Sequence, residues 1–407
     1  MRRCLLLFDA PDGGVAEHVM RLALGLPERG WEPWMVGPES AAIYELLRPT
    51  GIPITRLPFR PGYGHPLDDA RVLRDLIGLM RHSRFDLVHT HSPKAGAVGR
   101  VIALACGIPA VSTAHGFPFD PAIRRWPGRA VSLRVERLLA PRTDAVICVS
   151  DAVRRLALEY QLSAPETLLT VHNGTPSCDP ALEPDPELER FASEGPLAGC
   201  ITVLRPGKAG RGVEVFLEAG RHVLARLPEA RLAVVGNGVL RAELERYARA
   251  LGHDRRLRFF DYKPPSARQL RSLEVFVLSS PWEAFAIAPL EAMACGVPQV
   301  ATDVGGTAEA VSDGETGLLC PPNDPPLLAE RIVRLLNDPD LRSRMSQASR
   351  ERHRRLFTLD RMLDGTVAVF DRVADRERPQ PPPAGVRRGK RRGAPLLRTL
   401  RWRRGSF

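Results

Sequence analysis

Residues 105–113 read ACGIPAVST, and residues 294–302 read ACGVPQVAT. Each follows an apolar run that ends in Ser-Pro, DLVHTHSP at 86–93 and EVFVLSSP at 274–281. Strand, Ser-Pro loop, helix, Cys-Gly-x-Pro turn and strand therefore occur twice in the same order. A glycine accepts the positive φ that ends a helix, and a proline beyond it stops the helix resuming. The echo predicts two similarly built doubly wound α/β units instead of one large sheet; chance recurrence of common turn chemistry is the alternative.

The rest of the chain fits that reading. Strand-length apolar runs alternate with amphipathic segments, RCLLLF, a helix over 15–26, EPWMV, helices over 41–47 and 68–80, then DLVHTH. The pattern restarts with CITVLR at 200–205, a helix over 213–227, RLAVVG, a helix over 240–251, RLRFF and EVFVLSS. Such alternation is the signature of parallel sheets with helical crossovers. At 407 residues the chain is too long for one ordinary core. The Pro-rich, acidic stretch at 173–197 marks the boundary. A helix over 327–336 and a helical region over 341–373 close the folded part, with the Asp-Pro-Asp at 338–340 read as a helix cap rather than a metal motif.

Charge and cysteines narrow the function classes. The formal charge is +11, but the stretch from Pro379 onward holds nine basic residues and no acids, leaving +2 for residues 1–378. The excess thus sits on an appendage, so nucleic acid is not expected as the main ligand. The appendage also carries Leu396, Leu397, Leu400, Trp402 and Phe407, a mixture suited to anionic lipid headgroups or to a solubilising tail. Seven cysteines without a CxxC pair argue against a disulfide framework and a thiolate zinc site, and suggest a cytoplasmic setting. The uncharged stretch 101–119 is broken by Gly107, Pro109, Gly116 and Pro118, so it reads as helix end, turn and strand, not as a membrane span.

In open parallel sheets ligands sit beyond the carboxyl ends of the strands, which directs attention to those loops. Gly13 and Gly14 follow the first strand and serve either a tight turn or the backbone approach to an anion. His89 and His91 are read as ordinary loop polarity, since no third metal ligand stands nearby in sequence, while Lys94 suits a phosphate or acceptor contact. His115 ends a strand beside Gly116 and is a candidate for function. Arg205, Lys208 and Arg211 precede a helix and could converge on a diphosphate or form a solvated basic loop. Glu283 lies ahead of a helix expected from about Ala288 to Cys295, and Glu291 in its first turn. The amides of Phe285, Ala286 and Ile287 between them suit a bound anion, with the carboxylates accepting hydroxyl hydrogen bonds on either side.

Taken together, Glu-x7-Glu followed by AMACGVPQVATDVGG, the early GG, the His-Gly after a strand, HNG at 172–174 and the arginines at 205 and 211 resemble glycosyltransferase family 4, of retaining mechanism and GT-B fold. HTHSPKAGAVGRVIALACGIPAVSTAHGFPF is similar to the subset that builds exopolysaccharide and other cell-envelope glycans. The resemblance implies an N-terminal acceptor-side domain over 1–175, a linker over 176–197, a nucleotide-sugar domain over 198–355, a C-terminal helix over 356–375 that returns to the first domain, and a basic tail over 376–407. It implies hexosyl transfer from a nucleoside-diphosphate sugar, a UDP-sugar by expectation, to a lipid-linked or other saccharide acceptor, with no metal and no cofactor. His115 and Glu283 would be catalytic. Gly13, Gly14, Asn173, Arg205, Lys208, Arg211, Phe285, Ala286, Ile287 and Glu291 would bind the donor, and Lys94 would lie on the acceptor side. Expected partners are the donor, the acceptor and an anionic membrane surface, reached from the cytoplasm. A sugar-nucleotide sensor without turnover and a GT-B epimerase are the alternatives. The family commonly has Lys at position 211 and Gly at positions 284 and 286, where this chain has Arg211, Ala284 and Ala286.

Overall fold

β1 (Arg2–Leu7), β2 (Trp31–Pro38), β3 (Ile54–Leu57), β4 (Leu87–His91), β5 (Ala110–Ala114), β6 (Ala145–Cys148) and β7 (Leu168–Thr170) form a sheet of order β3-β2-β1-β4-β5-β6-β7. β8 (Leu197–Ile201), β9 (Arg231–Val235), β10 (Leu257–Phe260), β11 (Val275–Leu278), β12 (Gln299–Thr302) and β13 (Gly317–Cys320) form a second, of order β10-β9-β8-β11-β12-β13. Every pairing is parallel. The second sheet thus repeats the first, β8 standing for β1 and β11 for β4. The echoed segments occupy equivalent places: the Pro93–Cys106 helix ends at Gly107 (φ 71°) before β5, and the Ile287–Cys295 helix at Gly296 (φ 71°) before β12.

This computed structural model describes residues 1–59, 65–123, 128–206 and 208–376, with the side chains of Pro66 and of 208–211 outside the described set. Residues Met1–Ala374 are one compact unit. Among the described residues no helix is long and apolar enough to cross a membrane. The basic segment from 379 onward lies outside the described residues.

Packing ties the two sheets together. One apolar cluster joins Phe117 and Phe119 from the first half to Trp282, Phe285 and Phe357 from the second. The Leu359–Ala374 helix returns to the first half, burying Met362, Leu363, Phe370 and Val373 against Leu22 and Trp31. Phe370 meets Trp31 edge-on at 5.2 Å, and Arg29 grips Asp360 and Asp364 at 2.7 Å each. Gly25 permits this approach, because a Cβ there would stand 2.3 Å from Leu363 Cδ1.

Two expectations from local pattern are corrected. β8 covers Leu197–Ile201 rather than 200–205; residues 202–204 stay hydrogen-bonded to Val235 and Asn237 but leave regular strand geometry, running close against Gly236 and Gly238. The helical region expected over 341–373 is two helices, Pro339–Leu356 and Leu359–Ala374, because Thr358 bridges to Thr175 between them. The interval 176–197 contains a helix, Pro186–Ala192, capped by Asp185. Asp338 caps the Pro339–Leu356 helix through Leu341 N at 2.8 Å.

Candidate functional site

Strand order reverses direction around β1 and β4 in one sheet and around β8 and β11 in the other, and the loops beyond those strands form the candidate site. After β1, Asp12 is extended and Gly13 turns at φ 75° into the Gly13–Gly25 helix. Asp12 does not cap that helix; its carboxylate pairs with Arg205 from the other half. A Cβ on Gly13 would lie 2.9 Å from the Arg205 guanidinium, and one on Gly14 would lie 3.7 Å from Ile287 Cδ1. Gly13, at positive φ and tight against Arg205, therefore lets the first helix start against the second half, whereas a Cβ at Gly14 would make only an ordinary contact.

The same helix carries His18 and Arg21 inward. His18 Nδ1 lies 3.0 Å from Asn173 Oδ1, while Asn173 Nδ2 donates to Phe285 O at 2.8 Å. Asn173, buried just after β7, thus links the first helix to the loop before the Glu291 helix. Ser150 Oγ donates to Ala284 O at 2.9 Å, and Gly306 N donates to the same carbonyl at 3.1 Å. The 283–286 loop is consequently held from both halves. Its Glu283 carboxylate is half-buried and has no hydrogen-bond or ion-pair partner among the described residues.

Glu291 is engaged more firmly. The helix begins at Ile287, one residue earlier than its sequence suggests, so Glu291 lies past the first turn. Its Oε1 meets Arg21 Nη2 at 2.5 Å and its Oε2 accepts from Ser266 Oγ at 2.8 Å. Burial raises its pKa, opposed by the Arg21 charge. Arg21 is further held by Glu17 and by Gly174 O, at 3.0 and 3.1 Å.

His115 follows β5 and is half-buried, with its Nε2 3.1 Å from His91 Nδ1 and its ring 4.7 Å from that of His18. Gly116 beside it has φ 102°, and a Cβ there would run into the Trp282 ring at 2.4 Å. Trp282 in turn donates to Asp120 Oδ2 at 2.7 Å, closing the loops of both halves over one another. Burial and the neighbouring imidazoles hold His91 well below the ordinary histidine pKa, and burial lowers His18 to about 4, so both are neutral at physiological pH. A cavity of about 260 Å3 opens beside this group, lined by Val15, His115, Phe117, Trp282 and the Arg100–Glu136 pair.

The structure thus gathers Gly13, Gly14, His115, Asn173, Arg205, Phe285 and Ile287 along the seam between the halves. Lys208 and Arg211 begin the Lys208–Arg226 helix, so they stand in its first turn instead of a preceding loop; their side chains lie outside the described set. Lys94 is drawn into an ion pair with Asp69 at 2.6 Å, its side chain only 12% exposed. Ala286 has φ −70° and ψ 145°, and Ala284 is not among the residues with positive φ, so neither position demands glycine. Sequence reasoning missed His18, Arg21 and Ser150. A signal existed for the first two: Gly14, His18 and Arg21 recur at helical spacing on what ought to be an apolar face.

Comparison with known proteins accords with this geometry. Residues 12–177 match the family model described as Glycosyltransferase Family 4, and residues 190–352 that of Glycosyl transferases group 1. The chain is 32% identical to the alpha-maltose-1-phosphate synthase of Mycolicibacterium smegmatis, across 71% of this chain and 79% of that protein. It is 27% identical to the UDP-Gal:alpha-D-GlcNAc-diphosphoundecaprenol alpha-1,3-galactosyltransferase of Escherichia coli, across 67% of this chain and 72% of that one. The crystal structure of Anabaena HepE in complex with UDP-glucose superposes with a TM-score of 0.77 at 20% identity, covering 91% of this chain and all of that one.

Proposed function

The chain belongs to glycosyltransferase family 4 and is a glycosyltransferase of GT-B fold, and from that premise we propose that it moves a hexosyl group from a UDP-sugar, with retained configuration, to a saccharide or lipid-linked saccharide acceptor. The observation that carries the reading is the 283–286 loop. Asn173, Ser150 and Gly306 hold its carbonyls, leaving the Glu283 carboxylate without a described partner at a seam that also holds His115 and Arg205. In this reading Glu283 accepts hydrogen bonds from donor-sugar hydroxyls and His115 contacts the sugar from the first half. Arg205 exchanges Asp12 for the donor diphosphate, with Lys208 and Arg211 beside it. Fixed cations at a departing diphosphate act where charge develops, and removing one such donor costs roughly 10²–10³ in turnover. No metal enters the proposed reaction, which relies on these cations.

The uridine donor and lipid-linked acceptor are supported by the E. coli relative, whose name gives UDP-Gal and a diphosphoundecaprenol-linked sugar. We assign the basic tail to anionic headgroups on the cytoplasmic membrane face; deleting residues 379–407 is expected to abolish binding to anionic vesicles while sparing donor hydrolysis. The test of the central reading is incubation with radiolabelled UDP-sugars followed by product analysis. Transfer or slow hydrolysis with retained anomeric configuration is expected, and Glu283→Gln should lower turnover sharply. A fully active Glu283→Gln, or conversion of the donor into another nucleotide sugar, would overturn the assignment.

A further inference from the structure

His18, His91 and His115 present one ring nitrogen each, all within 4.8 Å of one another. Their hydrogen bonds allow the protons to be placed. Phe285 O can only accept, so the Asn173 amide turns its Nδ2 towards it and its Oδ1 towards His18. His18 Nδ1 must therefore carry the proton, and His18 Nε2 is a bare lone pair. That nitrogen is buried and has no partner among the described residues, and neither does His91 Nε2. His91 Nδ1 and His115 Nε2 share one proton across 3.1 Å. A buried polar atom left unpaired in this way costs on the order of 1–3 kcal/mol, and two of the three clustered imidazoles carry one.

We propose that His18, His91 and His115 form a binding site for one transition-metal dication of the zinc class, His18 ligating through Nε2 and the other two through one nitrogen each. Three imidazoles with no carboxylate favour zinc, cobalt, nickel or copper over magnesium, calcium or manganese. Asn173 acts as the outer partner that fixes the His18 tautomer, the role carboxylates and amides take around metal-bound histidines. The nearby Arg21 charge is balanced by Glu17 and Glu291. His115 lines the open cavity, which offers an entry path from its side of the cluster. A second group, Asp151, His172 and Glu309, has comparable spacing but is filled: the Glu309 oxygens accept from Asp151 N, Ala152 N and His172 Nε2 at 2.6–2.9 Å.

The ion has no part in the transfer itself. Binding is independent of the transferase reading; only one consequence rests on it, namely that an ion on His115 withdraws that residue from the donor sugar and inhibits. The experiment titrates chelator-stripped, untagged full-length protein with Co2+. One equivalent is expected to produce the visible ligand-field bands of a tetrahedral site, displaced by Zn2+ and indifferent to Mg2+. His18→Asn and His91→Asn should each weaken binding by more than the roughly 100-fold that outer-shell changes reach, while His172→Gln retains it. Absence of the bands, or their survival in both variants, overturns the site. Should the variants unfold, the paramagnetically shifted imidazole N–H resonances of the wild-type Co2+ form count the histidines bound, and fewer than three overturns it. Donor turnover, followed in parallel, is expected to fall with the same midpoint. Bands without inhibition would leave the metal site standing and remove His115 from the donor reading.

Discussion

Arg21 and Glu291, 270 residues apart in sequence, meet at 2.5 Å across the seam between the two halves. The pair joins the helix that leaves β1 to the helix beyond the 283–286 loop. Removing the guanidinium would strand a largely buried carboxylate, a change that costs about 3–5 kcal/mol for buried pairs. Arg21→Ala is therefore expected to lower stability by about that amount in denaturant titration. Glu291 would also lose its orientation, so donor KM should rise more than kcat falls. An Arg21→Ala protein as stable as the parent would show that the pair contributes nothing.

Asn173 is the hinge of a second relationship. Its amide serves Phe285 O and His18 Nδ1 together, so Asn173→Ala leaves two buried groups unpaired, at a cost of about 1–3 kcal/mol for each. Asn173→Asp keeps the shape and the acceptor but cannot donate to the carbonyl. It should be no better than Asn173→Ala in both stability and kcat/KM. Rescue by Asp would mean that the Phe285 contact is idle.

The alanine at 284 raises a narrower question. Its φ is ordinary, it is buried, and its Cβ lies 3.2 Å from the place a Cβ on Gly116 would take. Installing the family's usual glycine brings no conformational relief. Ala284→Gly is expected to destabilise by about 0.5–1 kcal/mol through the more flexible unfolded chain, with turnover retained. A stabilised or markedly faster variant would contradict this.

Acid sensitivity follows from two buried histidines. Burial lowers both His18 and His353 to about 4, below the ordinary value of 6.5. A histidine whose folded pKa is depressed binds its proton more readily when unfolded, so its contribution is complete at neutral pH. It is lost as pH falls from about 6.5 towards about 4, where the slope levels off. Each is worth on the order of 3 kcal/mol over that interval. Stability against urea should decline across this window, and His353→Gln, which keeps a partner for Thr175, should flatten the decline. An equally steep profile in that variant would remove His353 from the account.

Much of the architecture was written locally. The paired Cys-Gly-x-Pro turns announced two sheets of matching order because a glycine at positive φ and the proline after it act within a few residues. Glu283, ahead of its helix, was legible for the same reason. Helix limits near 287 and 358 were less so, since a neighbouring segment decides where a helix may begin or break: Asn173 holds the Phe285 carbonyl, and Thr175 pairs with Thr358.

The site chemistry belonged to the tertiary structure. Lys94, read as a phosphate or acceptor contact, is paired with Asp69, and Glu291, read as an acceptor for ligand hydroxyls, has its oxygens on Arg21 and Ser266. His89 and His91 were set aside as metal ligands because nothing nearby in sequence completed a set. His18 and His115 come within reach of His91, in the arrangement proposed above as a metal site, only because β1, β4 and β5 are adjacent in the sheet. Turns and periodicity act over a few residues, and a sequence displays them directly. Proton placement, ion pairing and convergence of lone pairs depend on groups far apart in the chain, and folding alone brings those together.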